Sequence, residues 1–265
     1  MTIFLILLLA ALLGGAANAL AGGGTFLTFP ALLLGGLAPV RANATGSLVL
    51  LPGALASAWV YRDTIVQSSM PRRLLWQMLA ASLLGSLAGS ILLLRTSNAT
   101  FSTLVPWLLL IATGVFSLAP QLRRWAAGMA GGTGHESGHQ SGHQSIGALL
   151  AGQVIISAYG GYFGAGMGVL MIALYLVTTN LDVHAASGLR LVCACAINIL
   201  AVAIFAVRGA LDYKVGIPML LASVAGGYAG AILVKRLDAK VARTAILTYA
   251  WALTGWFFGR MVLGH

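Results

Sequence analysis

Ten apolar stretches follow one another along the chain, at 3–20, 25–38, 43–61, 74–94 and 101–119, then at 146–163, 166–179, 186–207, 215–234 and 243–262. Short polar or glycine-rich joints separate them, which predicts helices in a bilayer. The second stretch of each group is only about 14 residues, or about 21 Å of helix, against a hydrocarbon core of about 30 Å. Glycines stand just before both: Gly22, Gly23 and Gly24 in the first group, and Gly160, Gly161, Gly164, Gly166 and Gly168 in the second. Helix propensity is lowest there, so each group is expected to hold a broken or re-entrant helix hairpin.

The two groups are copies. LAASLLGSLAGSILLLR at 79–95 returns as LLASVAGGYAGAILVKR at 220–236, with nine of seventeen positions identical at an offset of 141. The same offset carries Thr113, Gly114 and Phe116 onto Thr254, Gly255 and Phe257. The reading is a first transmembrane repeat at 1–120, a His/Gly-rich linker at 121–147 and a second repeat at 148–265. Many secondary transporters are built this way, with the substrate between the repeats near the bilayer midplane.

Composition narrows the class to an all-α, polytopic integral membrane protein. Hydrophobic residues make up 59% and charged residues 8%, where globular domains carry about 25% charged. The net charge of +10 does not indicate nucleic acid, because the bases sit at the ends of apolar runs, where loops and lipid headgroups are met. An odd number of crossings per half gathers nine bases on one side: Arg62, Arg72, Arg73, Arg123, Arg124, Lys235, Arg236, Lys240 and Arg243. Five remain on the other: Arg41, Arg95, Arg208, Lys214 and Arg260. An even number splits them eight to six, so the positive-inside rule favours odd parity, and odd parity makes the repeats inverted. The nine-base side, with the linker, is then cytoplasmic and both termini lie outside. The first segment superficially resembles a signal peptide, but it lacks a positive n-region and has a counterpart in the second half. Cys193 and Cys195 are too close together for a disulfide framework or a zinc site and read as packing residues.

Candidate chemistry clusters at the breaks. A half-helix that starts in mid-membrane directs N–H groups and a positive dipole end at its surroundings, which suits an anion. The substrate-binding candidates are therefore Asn18, Gly22, Gly23, Gly24 and Thr25 at the first break and Asn43, Thr45 and Ser47 at the next helix start. In the second half they are Tyr159, Gly164, Gly166, Gly168, Ser187, Arg190 and Asn198. Arg190 stands inside an apolar segment, a costly place for a charge unless it faces a cavity or a partner. The pairs Gly85/Gly89 and Gly226/Gly230 have small-xxx-small spacing without polar company and read as helix packing. No G-x-x-x-x-G-K-[ST] loop encodes an ATP motor and no carboxylate lies in mid-segment for a proton relay. No cofactor, metal centre or enzymatic chemistry is expected. His135, His139 and His143 have a spacing that would collect metal ions on a helix, but the intervening glycines oppose one, so the stretch reads as a solvated linker.

With these motifs in view, the chain resembles the sulfite exporter TauE/SafE family, also called the toluene sulfonate uptake permease group. The resemblance rests on Gly22-Gly23-Gly24, on Pro30-Ala-Leu-Leu-Leu-Gly35 and on Ala42-Asn43-Ala-Thr45-Gly-Ser47. In the second half it rests on Ala185-Ala-Ser-Gly188-Leu-Arg190, Phe205-Ala-Val-Arg-Gly209-Ala-Leu-Asp212 and Gly226-Gly-Tyr-Ala-Gly230-Ala. It implies a multi-pass secondary transporter of the cell inner membrane carrying sulfite, sulfoacetate or a related small anion. The expected partners are that anion and the lipid bilayer; a homodimer is left open. Two alternatives are a divalent-metal transporter using the histidine linker and a membrane scaffold that transports nothing.

The charge split generates a topology test. Single cysteines at Ser97 and Ser69, in a Cys193→Ala/Cys195→Ala background, should label oppositely with a membrane-impermeant thiol reagent, Ser69→Cys being protected in intact cells. Equal labelling from outside rules out odd parity.

Overall fold

A computed structural model describes residues 2–21, 23–60, 71–131, 146–179, 181, 183–233 and 239–263. Among them are ten α-helices and no strand. The first half has α1 (Thr2–Ala21), α2 (Thr25–Leu34), α3 (Pro39–Val60), α4 (Arg72–Arg95) and α5 (Asn98–Gly131). The second has α6 (Ile146–Tyr162), α7 (Met167–Thr178), α8 (Val183–Val207), α9 (Tyr213–Leu233) and α10 (Ala239–Leu263). Adding 141 to the start of any helix in the first half lands within three residues of the start of its counterpart. Arg72–Arg95, Asn98–Leu118 and Ala185–Val207 are each long and apolar enough to cross a bilayer. With large apolar side chains such as Leu84, Ile155 and Leu221 exposed on the outer helix faces, this is a multi-pass membrane protein.

Each half completes the other. The first helix of each half packs along the fourth helix of the opposite half, α1 on α9 and α6 on α4. Lipid tails give no hydrophobic drive for helices to associate, so close backbone approach through small residues has to supply it. A Cβ added to Gly85 would overlap the backbone of Val154, and one added to Gly89 the backbone of Ala158. Gly226 meets Leu12 in the same manner. Hydroxyls tie α4 to its neighbours: Gln153 Nε2 of α6 donates to Ser82 Oγ at 2.7 Å, and Ser86 Oγ donates to the Ile197 carbonyl of α8 at 2.8 Å. Since Ser82 lies beside Gln153 and Ser90 beside Gly161, α4 and α6 run parallel.

Helix ends define the two sides of the bundle. The start of α3 meets the end of α8: Arg41 Nη2 donates to the Leu211 carbonyl at 3.2 Å and stands 4.0 Å from Asp212 Oδ2. The Asp212 N–H donates to Thr45 Oγ1 at 3.0 Å. The Val40 N–H reaches Asn98 Oδ1 at 3.1 Å, which brings the start of α5 to the same end. Arg95 and Arg208 border one groove there, and Arg260 shares another with Pro39 and Ser102. Arg41, Arg95, Arg208 and Arg260 therefore collect at one end of the molecule. The matched helices α3 and α8 run in opposite directions, with the start of one against the end of the other. Thr113 and Thr254, 141 residues apart in the chain, hydrogen-bond to each other at 3.2 Å.

An aromatic node joins the first short helix to the second joint. Phe29 of α2 stands edge-on to Phe101 of α5 at 6.2 Å and to Phe163 at 5.7 Å, and stacks on Phe257 of α10 at 6.5 Å. Each such pair contributes about 0.5–1.5 kcal/mol beyond its buried area.

The seam gives a stability prediction. Gly89→Leu should separate α4 from α6 and lower the melting temperature in detergent by several degrees or yield aggregated protein on size exclusion. Leu84→Ala, on the exposed face of α4, should change stability by less than about 0.5 kcal/mol. A Gly89→Leu protein that melts like the parent refutes the close approach.

Candidate functional site

The two helix breaks end at one interior cavity. Asn18 comes from the last turn before the first break and Thr25 from the first residue of α2; Ser47 comes from the middle of α3. The second half adds Gly164 in its break, Gly168 in the first turn of α7, and Arg190 and Asn198 on one face of α8. About 50 Å³ is open to the centre of a water molecule, room for a few waters or one small polyatomic ion.

Backbone geometry explains why the second break forms here. Gly164 and Gly166 have φ of 80° and 74°, the left-handed region that residues with a Cβ rarely enter. Gly166 is the N-cap of α7, and no side chain caps it; nor does one cap α2 at Gly24. The Tyr159 hydroxyl donates to the Ala165 carbonyl at 2.7 Å and braces the loop. Asn43 Nδ2 donates to the Tyr162 carbonyl at 2.8 Å, satisfying the C-terminal end of α6.

Arg190 is the charge of the site. It is 9% exposed and lies on the first turn of α7. A Cβ on residue 168 would fall 2.5 Å from Nη1, 3.1 Å from Cδ and 3.4 Å from Cζ. Gly168 is thus the space into which the guanidinium fits. A helix N-terminus carries about half a positive charge, so a cation is ordinarily unfavourable beside it. Here a full cation rests on one such terminus and Thr25 brings a second to the same cavity. The described residues lining the cavity include no Asp or Glu. The guanidinium and the two helix starts together give the cavity a positive potential.

The fifteen candidates separate by what they touch. Asn18, Thr25, Ser47, Gly164, Gly168, Arg190 and Asn198 line the cavity. Gly23 and Gly24 are buried in the first break, and a Cβ on Gly24 would lie 2.8 Å from Leu50 and 3.0 Å from Asn18. Gly166 turns the second break against Ala112 of α5. Asn43, Thr45 and Tyr159 hold backbone groups, as above. Ser187 lies half-buried in the first turns of α8 and does not line the cavity. Gly22 falls outside the described residues.

Sequence reasoning missed the apolar wall formed by Leu50, Ala54, Phe163, Met167, Leu191 and Ala194. A helical-face rule applied to Arg190 points to Ala194 and Asn198, four and eight residues on.

Comparison with known proteins gives one consistent result. The family model for Sulfite exporter TauE/SafE matches residues 7–256. A probable membrane transporter protein of Haemophilus influenzae is 26% identical over 247 residues, covering 91% of this chain and 91% of its own length. The probable membrane transporter protein YfcA of Escherichia coli is 25% identical over 242 residues, covering 91% and 84%. The probable membrane transporter protein ORF9 of Sinorhizobium sp is 23% identical over 250 residues, covering 93% and 89%. No solved structure matches the chain.

The fit of Arg190 onto Gly168 is open to a direct check. Gly168→Ala meets the far end of a flexible side chain, so the protein should still insert and melt within a few degrees of the parent. A cryo-electron microscopy map of the variant should show the guanidinium moved off the first turn of α7. An unmoved guanidinium contradicts the cradle.

Proposed function

The chain belongs to the sulfite exporter TauE/SafE family, and we propose that it is a secondary transporter of the cell inner membrane for a small sulfur-containing or organic anion such as sulfite or sulfoacetate. The observation that carries this reading is the buried Arg190 guanidinium on the first turn of α7, facing a cavity that also receives the N-terminus of α2. Three centres of positive potential around one small space favour an anion over a neutral or cationic solute.

Arginine suits the head group of such a substrate. Its planar fork pairs two oxygens of a sulfite or sulfonate at once, which the point charge of lysine does not. Asn18, Thr25 and Ser47 supply polar groups on the facing wall, and Phe163 and Met167 supply apolar surface for a short carbon body. Alternating access follows from the inverted repeats we infer: opposed directions of α3 and α8 and the Thr113–Thr254 contact support a two-fold in the membrane plane. Rocking of one half against the other then opens the cavity to each side in turn.

A divalent cation fits the cavity poorly, since its lining offers a guanidinium and two helix N-termini instead of carboxylates or imidazoles. Among the described residues no three His, Cys, Asp or Glu come together to hold a metal. The histidine linker at 135–143 lies outside the described residues.

Anion binding by calorimetry to the purified protein tests the reading. Arg190→Lys should weaken sulfite or sulfoacetate binding and Arg190→Ala should weaken it further. Loss of a charge-assisted bond of about 1.5–3 kcal/mol corresponds to about a 10- to 150-fold drop in affinity. If Arg190→Ala binds like the parent, the residue assignment fails; if the parent binds neither anion but binds another, the substrate assignment fails.

A further inference from the structure

Apart from the cavity, a groove opens on the outer surface at the end where the helix starts of α3, α5 and α9 gather. Between α4 and α8 runs an open groove walled by Leu87, Ile91, Leu94, Ala203, Ile204 and Val207, with a volume of about 700 Å³. At its end stand two arginines, Arg95 as the last residue of α4 and Arg208 just past the end of α8. Both are exposed. Neither makes an ion pair among the described residues, where Arg41 pairs with Asp212.

We propose that this groove binds one anionic phospholipid, its acyl chain along the aliphatic wall and its phosphate between Arg95 and Arg208. An apolar trough that ends in paired guanidiniums matches the shape and charge order of such a lipid: long apolar body, then phosphate at headgroup depth. Basic pockets between membrane helices recognise anionic headgroups in this way, and arginine binds phosphate oxygens in pairs. Each arginine also sits at the negative end of its own helix, which helps to hold it there. The helix dipole does not, however, account for two of them converging on a single groove. Nor does the duplication, because the repeat places Gln67 at the position matching Arg208. The pair is particular to this end of the molecule, so the site belongs to one leaflet.

Native mass spectrometry of the full-length protein in detergent tests the proposal with phosphatidylglycerol and phosphatidylcholine of identical acyl chains. The parent should retain phosphatidylglycerol at least tenfold more strongly than phosphatidylcholine. Arg95→Gln/Arg208→Gln should remove that preference while leaving phosphatidylcholine binding unchanged. Arg72→Gln/Arg73→Gln, at the start of α4 and outside the groove, should keep it. Ala203→Trp fills the trough with both arginines intact and should also lose phosphatidylglycerol, which shows that the chain is read along with the charge. Millimolar inorganic phosphate should leave the lipid in place. Equal retention of the two lipids by the parent, an unchanged preference in the Arg95/Arg208 double variant, or displacement by free phosphate each overturns the proposal.

Discussion

Backbone groups in the hydrocarbon interior find no water, so every interrupted helix must have its free N–H and C=O groups covered by protein. Two interruptions in this chain make that constraint dominate its architecture. At the second break, polar side chains are spent on backbone: Tyr159 on Ala165, Asn43 on Tyr162. The aromatic node of Phe29, Phe101, Phe163 and Phe257 seals the space between the breaks. The packing of α1 along α9 and of α6 along α4 serves the same end, since it covers the first helix of each hairpin with a helix from the other half. What stays uncovered is the cavity, and there the two half-helix N-termini meet.

The seams that hold this arrangement rely on number more than on strength. Interhelical hydrogen bonds in membranes average about 0.6 kcal/mol, because the separated helices find other partners. The cluster of Gln153, Ser82, Ser157 and Tyr175 satisfies both ends of its amide: Tyr175 donates to Oε1 at 2.9 Å while Nε2 reaches Ser82 and Ser157. Such a network fixes register between α4, α6 and α7 even where its net stability is small. Register matters here, as Gly168 and Arg190 must meet to within a few tenths of an ångström.

The ten described helices and both breaks were legible because each leaves a trace in the sequence: apolar runs parted by polar joints, and glycines before the two short helices. The collection of Arg41, Arg95, Arg208 and Arg260 at one end was equally legible, since charge marks helix ends in a membrane protein. The site was read less well. Asn43 and Arg190 look alike in sequence, each a polar residue early in an apolar helix, yet Asn43 holds a carbonyl at 2.8 Å and Arg190 borders a cavity. Which role a buried polar group takes depends on the backbone that folding brings within about 3 Å of it, and one strand of letters does not contain that neighbour. The apolar wall left no trace because, in a chain 59% hydrophobic, Phe163 or Leu191 carries no contrast.

Likeness between the two halves of the sequence does not extend to their chemistry. By the 141-residue offset, Arg190 corresponds to Val49, Gln153 to Leu12 and Tyr175 to Leu34. Tyr175 is fully buried while Leu34 is 64% exposed, so the second half carries both the charge, on α8, and the polar brace, on α6 and α7. Electrostatics gives a reason for this one-sidedness. Two guanidiniums brought to about 4 Å in one small cavity repel by about 4 kcal/mol at an effective dielectric of 20. A singly charged anion cannot offset that repulsion as well as the desolvation of both cations. One arginine with two helix N-termini instead gives a positive potential without that repulsion, as the anion transport we propose requires. Both halves thus line the cavity, and Arg190 alone among its described lining residues brings a full charge.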